Sequence, residues 1–369
     1  MPANAIRGIG RWTTEYVLAL VAQRPDLVAA VSVDDHLPLP TLVSRLPATV
    51  PVMRSTDGPP AVADGRLVFH ALSPLEDLTI ARVWPRWACE PEVALVTTLY
   101  DMIPLLFPDD YFQGGLKRLL QVRYELHRTA DATIGISRTT VDDAVRLLDL
   151  DPQRTFVASG GINARFVPPV GGTAEALRTV AKVGIRPGYV LTIGNVDPRK
   201  NVFALMQAFA GLPADLRNEH QLVVTCSQGD PEHLRKLNGD AERLGIADAT
   251  VVLPFVTDDL MVSLYQGCDV MVYPSLYEGL GLPLIEALAC GAAVIASNVG
   301  PMREIVTTPS ALFDPHGPDA IMACLHSVLT SPQQQRDLRA IAGAAAAQHT
   351  WERSIDEAVL AYETAAARR

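Results

Sequence analysis

Aromatic residues are scarce in this sequence of 369 residues, at 6%, although hydrophobic residues as a whole reach 49%. Its core must be largely aliphatic, and there is enough of it to exclude a disordered chain. Cysteine is rarer still. The five (Cys89, Cys226, Cys268, Cys290, Cys324) are odd in number, scattered and free of any Cys-x-x-Cys pair, which excludes a disulfide framework or zinc ribbon and fits reduced thiols. The eight histidines form no His-x-His or His-Glu-x-x-His cluster, so no metal site is expected. Positive charge is in deficit, with 31 Lys and Arg against 41 Asp and Glu. That excludes a general nucleic-acid binder, and any anionic ligand needs a local cationic seat. No apolar run approaches the ~18 residues of a membrane span; the nearest, Ala287–Ala296, is broken by Cys290-Gly291. With no signal peptide at Met1-Pro2-Ala3-Asn4, the expected setting is the cytoplasm.

What is present is alternation. Leu27–Val33, Leu67–His70, Val93–Leu99, Ala132–Ser137 and Thr155–Ser159 read as buried strands, with amphipathic helices at Thr13–Gln23, Gly115–Arg128 and Arg138–Leu148. Val167-Pro168-Pro169-Val170-Gly171-Gly172 is the strongest loop signal, and beyond it the pattern restarts. Strands are expected at Tyr189–Ile193, Gln221–Thr225, Thr250–Phe255, Asp269–Tyr273 and Ala293–Ser297, and helices at Val202–Ala210, Pro231–Leu244, Asp258–Gln266, Pro283–Cys290 and Pro318–Leu329. Continuous apolar strands joined by helical crossovers mean parallel sheets covered on both faces. The expected fold is therefore α/β, with two Rossmann-like doubly wound domains, residues 1–170 and 171–350. A terminal helix, 351–369, is expected to cross back to the first. A doubly wound domain ordinarily opens with a strand that delivers a glycine-rich turn. Here Gly8-Ile9-Gly10 comes almost at once and Pro2–Arg7 is too short and unpatterned for a strand, so the first strand reads as abbreviated, or the chain as starting late in the fold.

In open α/β sheets ligands sit beyond the carboxyl ends of the strands. Two such loops in the second half carry chemistry. Gly194-Asn195-Val196-Asp197-Pro198-Arg199-Lys200-Asn201 places adjacent cations just before a helix, and Tyr277-Glu278-Gly279-Leu280-Gly281-Leu282-Pro283 runs into the helix that holds Glu286. The glycines let backbone amides approach a ligand, and a helix N-terminus seats phosphate. Arg199 and Lys200 supply the charge a diphosphate needs. Glu286 and Glu278 can each accept hydrogen bonds from sugar hydroxyls. Two carboxylates flanking a phosphate seat describe a nucleotide-sugar site.

Glu278 to Glu286 (E-G-L-G-L-P-L-I-E) resembles the E-x7-E signature of retaining GT-B glycosyltransferases, most closely glycosyltransferase family four (glycosyl transferases group one). Gly8-Ile9-Gly10-Arg11-Trp12, Tyr100-Asp101-Met102-Ile103-Pro104, Gly160-Gly161-Ile162-Asn163, Gly194–Asn201 and Trp351-Glu352 resemble further family stretches, so the likeness covers nearly the whole chain. The resemblance implies two domains facing a central cleft. It also implies metal-independent transfer of a hexosyl unit (mannose, rhamnose or glucose type) from a nucleoside diphosphate sugar to a hydroxyl of a saccharide or lipid-linked acceptor. The setting it implies is cell-surface polysaccharide or glycolipid synthesis. Arg199, Lys200, Glu278 and Asp101 are then the catalytic set. Gly8, Gly10, Gly194, Gly279, Leu280, Gly281, Leu282 and Glu286 hold the donor, with Gly8–Gly10 as a loop over the diphosphate. Tyr100, which replaces a histidine common in the family, and His70 are acceptor-side candidates. No cofactor, metal or nucleic-acid partner is implied.

Three weaker readings complete the picture. Asp149-Leu150-Asp151 has the spacing of a metal-binding D-x-D but follows a helix and precedes Pro152, so it reads as a helix end. Gly115–Arg123 with Arg128 carries basic and apolar residues at helical spacing, either a core-facing helix or a peripheral contact at the inner face of a membrane. The alternatives to a transferase are a non-catalytic partner subunit, or a sugar phosphorylase or epimerase on the same fold.

Overall fold

The computed structural model describes residues 8–35, 39–62, 65–73, 84–111, 116–226 and 230–368. The chain divides into two compact units, one formed by residues 1–161 with 349–369 and the other by residues 162–348.

The first unit holds two parallel sheets. Strands β1 (Val31–Val33) and β2 (Val52–Arg54) pair with each other, and β3 (Val68–Ala71), β4 (Ala94–Leu99), β5 (Ala132–Gly135) and β6 (Thr155–Val157) lie side by side in chain order. The core beside β4 is aliphatic with one tyrosine: Leu99, Met102, Leu120, Tyr124, Ala144, Leu148 and Leu150. The Arg138–Leu148 helix starts where the Ser137 hydroxyl accepts the Thr140 amide hydrogen, and ends at Asp149 in the left-handed region, φ 54°. Asp151 then caps the short Pro152–Arg154 turn. The Asp149-Leu150-Asp151 spacing is thus two caps around a buried leucine, in keeping with its reading as a helix end.

Two expectations for this unit change. Gly8 to Gly10 are the first turn of a helix spanning Gly8–Gln23, with Gly10 buried, rather than a loop. The glycines disguised a helix whose face is fixed further on by Trp12, Tyr16, Val17 and Val21. Leu27 belongs to a 3-10 turn, and β1 is only three residues long. The first unit also reveals what several family-like stretches do. Trp12 stacks on Tyr16 at 4.8 Å, meets the Tyr100 ring edge-on at 5.6 Å and lies 6.1 Å from Trp351. Gly160, at φ +80°, and Gly161 lie where any Cβ would collide with Trp12 or Trp351. The Gly160 amide donates to the Ser354 hydroxyl at 3.0 Å, and the Trp12 indole donates to the Ser159 carbonyl at 3.3 Å. The closing helix, Trp351–Ala367, is thereby locked to this unit by sequence elements almost 200 residues away.

The second unit is one six-stranded parallel sheet in the order β12-β11-β10-β7-β8-β9, with β7 at Tyr189–Gly194, β8 at Gln221–Cys226, β9 at Thr250–Leu253, β10 at Val270–Tyr273, β11 at Val294–Ser297 and β12 at Leu312–Phe313. The chain builds outward from β7 through β8 to β9, then returns to the other side with β10. The strand order reverses between β7 and β10, the place where such sheets bind ligands. The loops that follow those two strands carry Arg199, Lys200 and Glu278.

Candidate active site

The loop after β7 is fixed by a chain of small polar bonds. Gly194 has no room for a side chain because Val202 fills the space a Cβ would take. The Asn195 side chain accepts the Asp197 amide hydrogen at 2.9 Å, and Asp197 accepts that of Arg199 at 2.9 Å. Pro198 opens the 3-10 turn Pro198–Lys200, and Asn201 ends it in the left-handed region, φ 56°. The Asn201 side-chain amide donates to the carbonyls of Pro274 (3.1 Å) and Pro315 (2.8 Å), and Leu276 N–H donates to the Arg199 carbonyl at 2.8 Å. The two loops are therefore one rigid piece, and the cations are aimed before any ligand arrives.

Both cations converge on one carboxylate. Lys200 Nζ lies 2.7 Å from Glu278 Oε1, and Arg199 Nη1 lies 2.9 Å from Oε2. Arg199 Nη1 also donates to the Tyr277 carbonyl at 2.7 Å, and Nη2 reaches Asp197 at 3.2 Å. Glu278 is only 8% exposed. Burial alone would raise its pKa, but Lys200 and Arg199 outweigh burial and hold it at about 2. Lys200 stands 5.7 Å over the ring of Tyr273, a residue whose hydroxyl is held protonated by burial and by the Glu278 charge.

Gly281, at φ +94°, turns the chain into the helix Leu282–Ala289, with Pro283 second rather than first in it. Glu286 is the fifth residue of that helix, one residue deeper than the sequence suggested, and 9% exposed. Its Oε2 accepts the Tyr265 hydroxyl at 3.1 Å. Tyr265 is kept protonated by burial and by that carboxylate, and its ring packs 6.1 Å from Phe166. Gly194, Gly279, Leu280, Gly281 and Leu282 all lie on these two loops, with Leu280 buried. Asp197, Tyr265 and Tyr273 are partners the sequence reading missed. Only Asp197 had a local signal, an Asn-x-Asp-Pro run that favours side-chain turns.

The first-unit candidates have structural partners. The Tyr100 hydroxyl is buried, 2.6 Å from Thr13 Oγ1, and donates to the Leu72 carbonyl at 2.7 Å. Asp101 accepts the Ile103 amide hydrogen at 2.9 Å, a turn contact at the Ile103–Leu106 helix. His70 has both ring nitrogens engaged, Nδ1 with the Tyr362 hydroxyl and Nε2 with Thr98 Oγ1, each at 2.8 Å. Burial pushes its pKa down to about 3, so it is neutral. Gly8 and Gly10 are helical, as described. In the Leu116–Thr129 helix, Lys117 and Arg118 lie outside the residues whose side chains are described. Arg123 is fully buried, and Arg128 donates to the Leu148 carbonyl at 2.7 Å and pairs with Glu125. Both of these cations are engaged within the protein, and Val122 beside Arg123 is exposed. Among the described residues no helix is long and apolar enough to cross a membrane, and no group of three His, Cys, Asp or Glu could hold a metal.

Residues 177–345 match the family described as glycosyl transferases group 1. The second unit is a group 1 domain. Among curated proteins, the serotype-specific mannosyltransferase WbdA of Escherichia coli is 30% identical over 259 residues, covering 69% of this chain and 32% of the relative. The O-antigen chain mannosyltransferase B of Escherichia coli is 28% identical over 270 residues, 73% of this chain and 70% of the relative. The chain thus spans about a third of WbdA. Among solved structures, a sucrose-phosphate synthase from Thermosynechococcus elongatus superposes with a TM-score of 0.68 at 20% identity, over 90% of this chain and 87% of that one. Anabaena HepE in complex with UDP and glucose gives 0.67 at 18%, over 80% and 78%. The GT-B fold is that of these neighbours. Within the group 1 domain, the Arg199–Lys200–Glu278 cluster falls inside the matched residues, as do Glu286 and the glycine turn before it.

Proposed function

We propose that the protein is a retaining glycosyltransferase that moves a hexosyl unit, mannosyl first among the candidates, from a nucleoside diphosphate sugar to a hydroxyl of a saccharide or lipid-linked acceptor. The observation that carries this is the pair of cations, Arg199 and Lys200, converging at 2.9 and 2.7 Å on one buried carboxylate at the strand switch point. Two adjacent cations held in place by one carboxylate, beside a glycine-turned helix N-terminus, are what a diphosphate needs. The Escherichia coli mannosyltransferases it resembles support a mannosyl donor and an O-antigen or related polysaccharide acceptor.

In this reading Arg199 and Lys200 stabilise the charge that develops on the departing nucleoside diphosphate, and such electrostatic stabilisation ordinarily contributes more to rate than any other single effect. The bond from the anomeric carbon to the diphosphate oxygen breaks as the acceptor oxygen bonds to the same face. The acceptor proton passes to the departing phosphate oxygen. Glu278 and the amides of Gly279–Leu282 hold the donor sugar, and Glu286 holds the ribose. The metal-free character of the reaction is part of the proposal, since two fixed cations occupy the place of a divalent ion.

A thermal-shift panel of UDP, GDP and their sugars tests it. The true donor raises Tm by mass action, about 2.7 kcal/mol at a hundred times Kd, and supports product formation with EDTA present. If no nucleoside diphosphate shifts Tm, the reading is wrong. Product that depends on inorganic phosphate, or that forms without an acceptor, points instead to a phosphorylase or an epimerase.

A further inference from the structure

Glu286 is held by a residue on another helix. Tyr265 lies near the end of the Asp258–Gly267 helix and is fully buried. Its hydroxyl donates to Glu286 Oε2 at 3.1 Å, a bond that spans 21 positions. An ionised carboxylate only accepts hydrogen bonds, so a phenol that burial keeps protonated is its matched partner. Both sides of this bond are braced. The Tyr265 carbonyl accepts the Cys268 thiol hydrogen at 3.3 Å, and the Gln266 side-chain amide donates to the Val167 carbonyl at 2.8 Å. The buried Phe166 ring meets the Tyr265 ring edge-on. Pro168 lies against Gly291, just past the end of the helix that carries Glu286. The stretch Phe166–Pro168 therefore backs the two helices whose side chains make the bond.

What the bond does follows from rotamer freedom. A glutamate side chain turns about three bonds, and freezing that motion at the moment a ligand arrives costs affinity. A carboxylate with one oxygen already held by a buried, braced phenol is ordered in advance. It has about four acceptor sites, enough for Tyr265 and the two neighbouring hydroxyls of a ribose together. Tyr265 is closed off from solvent and meets no ligand, so whatever it contributes to binding passes through Glu286, which keeps an exposed edge.

We propose that Tyr265 is a positioning residue: it holds the Glu286 carboxylate in the orientation that accepts both ribose hydroxyls, and the pair makes the site prefer ribonucleoside diphosphates to forms that lack those hydroxyls. The inference rests on the assignment of Glu286 to the ribose.

The test titrates the full chain in a calorimeter with UDP and GDP, each against its 2′,3′-dideoxy form. The wild type is expected to bind the ribo form of its nucleotide at least about tenfold more tightly, the worth of a hydrogen bond to a charged group. Tyr265→Phe keeps the ring and removes one oxygen. It should weaken the ribo form by about tenfold and leave the dideoxy form within about threefold of wild type, whereas a merely structural role would weaken both alike. In a Glu286→Ala background the same change should have no further effect, because nothing is left to orient. If the phenylalanine variant does not fold, Phe166→Leu, which takes away the ring behind Tyr265, is measured in its place and should lower the ribose preference in the same direction. A ribose preference that Glu286→Ala abolishes and the Tyr265 or Phe166 variant keeps would overturn the proposal while the ribose assignment stands. Equal weakening of both forms by Tyr265→Phe would also overturn it. A wild type that binds both forms equally, or neither, would overturn the ribose assignment and the proposal with it.

Discussion

Replacing Glu278 by glutamine isolates what the buried carboxylate does for the site that surrounds it. Glu278 is held at about 2 against an ordinary 4.5. That gap, at ~1.4 kcal/mol for each pH unit, makes its ionised form worth on the order of 3 kcal/mol to the folded state. Because the folded value is depressed, the contribution is complete above pH 4.5 and is lost as the pH falls toward 2. The Glu278→Gln change keeps the shape but removes the charge, leaving Arg199 and Lys200 side by side with no anion between them. At pH 7 the variant should lose on the order of 3 kcal/mol, a fall in Tm of roughly 6–12 °C for a unit of this size. Its melting temperature should also vary less with pH between 4.5 and 2 than that of the wild type. A nucleoside diphosphate supplies the missing negative charge, so it should stabilise the variant by more than it stabilises the wild type. Calorimetric melts from pH 7 to 2.5, with and without UDP and GDP, read all three effects. A variant that melts within about a degree of wild type at neutral pH, with the same acid slope, would refute the charge balance described here.

Removing one of the two cations tests transfer itself: Lys200→Ala should lower kcat by about 10²–10³, measured as product formed from the matched donor, and undiminished turnover would mean that the site is wrongly assigned. His70, held neutral by burial at about 3, contributes stability that is complete above pH 6.5 and is lost as the pH falls toward 3. A His70→Asn variant should therefore unfold with a shallower pH dependence over that interval, followed by urea denaturation at fixed pH steps. Gly161→Ala places a methyl group against the Trp351 ring, 2.7 Å from its Cγ, and should cost about 1–3 kcal/mol. The control Gly343→Ala, in open space within the Pro332–Ala346 helix, should stabilise by about 0.5–1 kcal/mol. Both are read as shifts in Tm.

The second unit was the more legible half, and the reason is burial. Gln221–Cys226 and Val270–Tyr273 are short aliphatic runs buried on both faces, a pattern with little ambiguity once flanking glycines and polar turns bound it. Strands β2 and β12 were not read because they are three and two residues long and half-exposed at one or more positions. The Pro332–Ala346 helix was overlooked because glutamine and alanine dominate it, so that its buried stripe of Leu338, Ala342 and Ala346 holds a single large apolar side chain. At the site, the sequence placed Arg199, Lys200 and Glu278 beyond strand ends, but a bond across 78 positions has no local signature, so each was assigned to a ligand and none to the others. The bonds of Tyr100 and His70 were equally illegible. Strand-end polar residues look available in sequence, whereas in the fold they satisfy buried hydroxyls and carbonyls.

The terminal helix has a consequence for biosynthesis. The seat at Gly160 and Gly161 leaves the ribosome long before Trp351, the ring it receives. At ~5–20 residues per second, the intervening synthesis takes roughly ten to forty seconds. Throughout that interval the nascent first unit is missing a wall, while the unit encoded between its two pieces is continuous in sequence and free to fold as soon as it emerges. The half of the protein that is made first is therefore the half that is finished last.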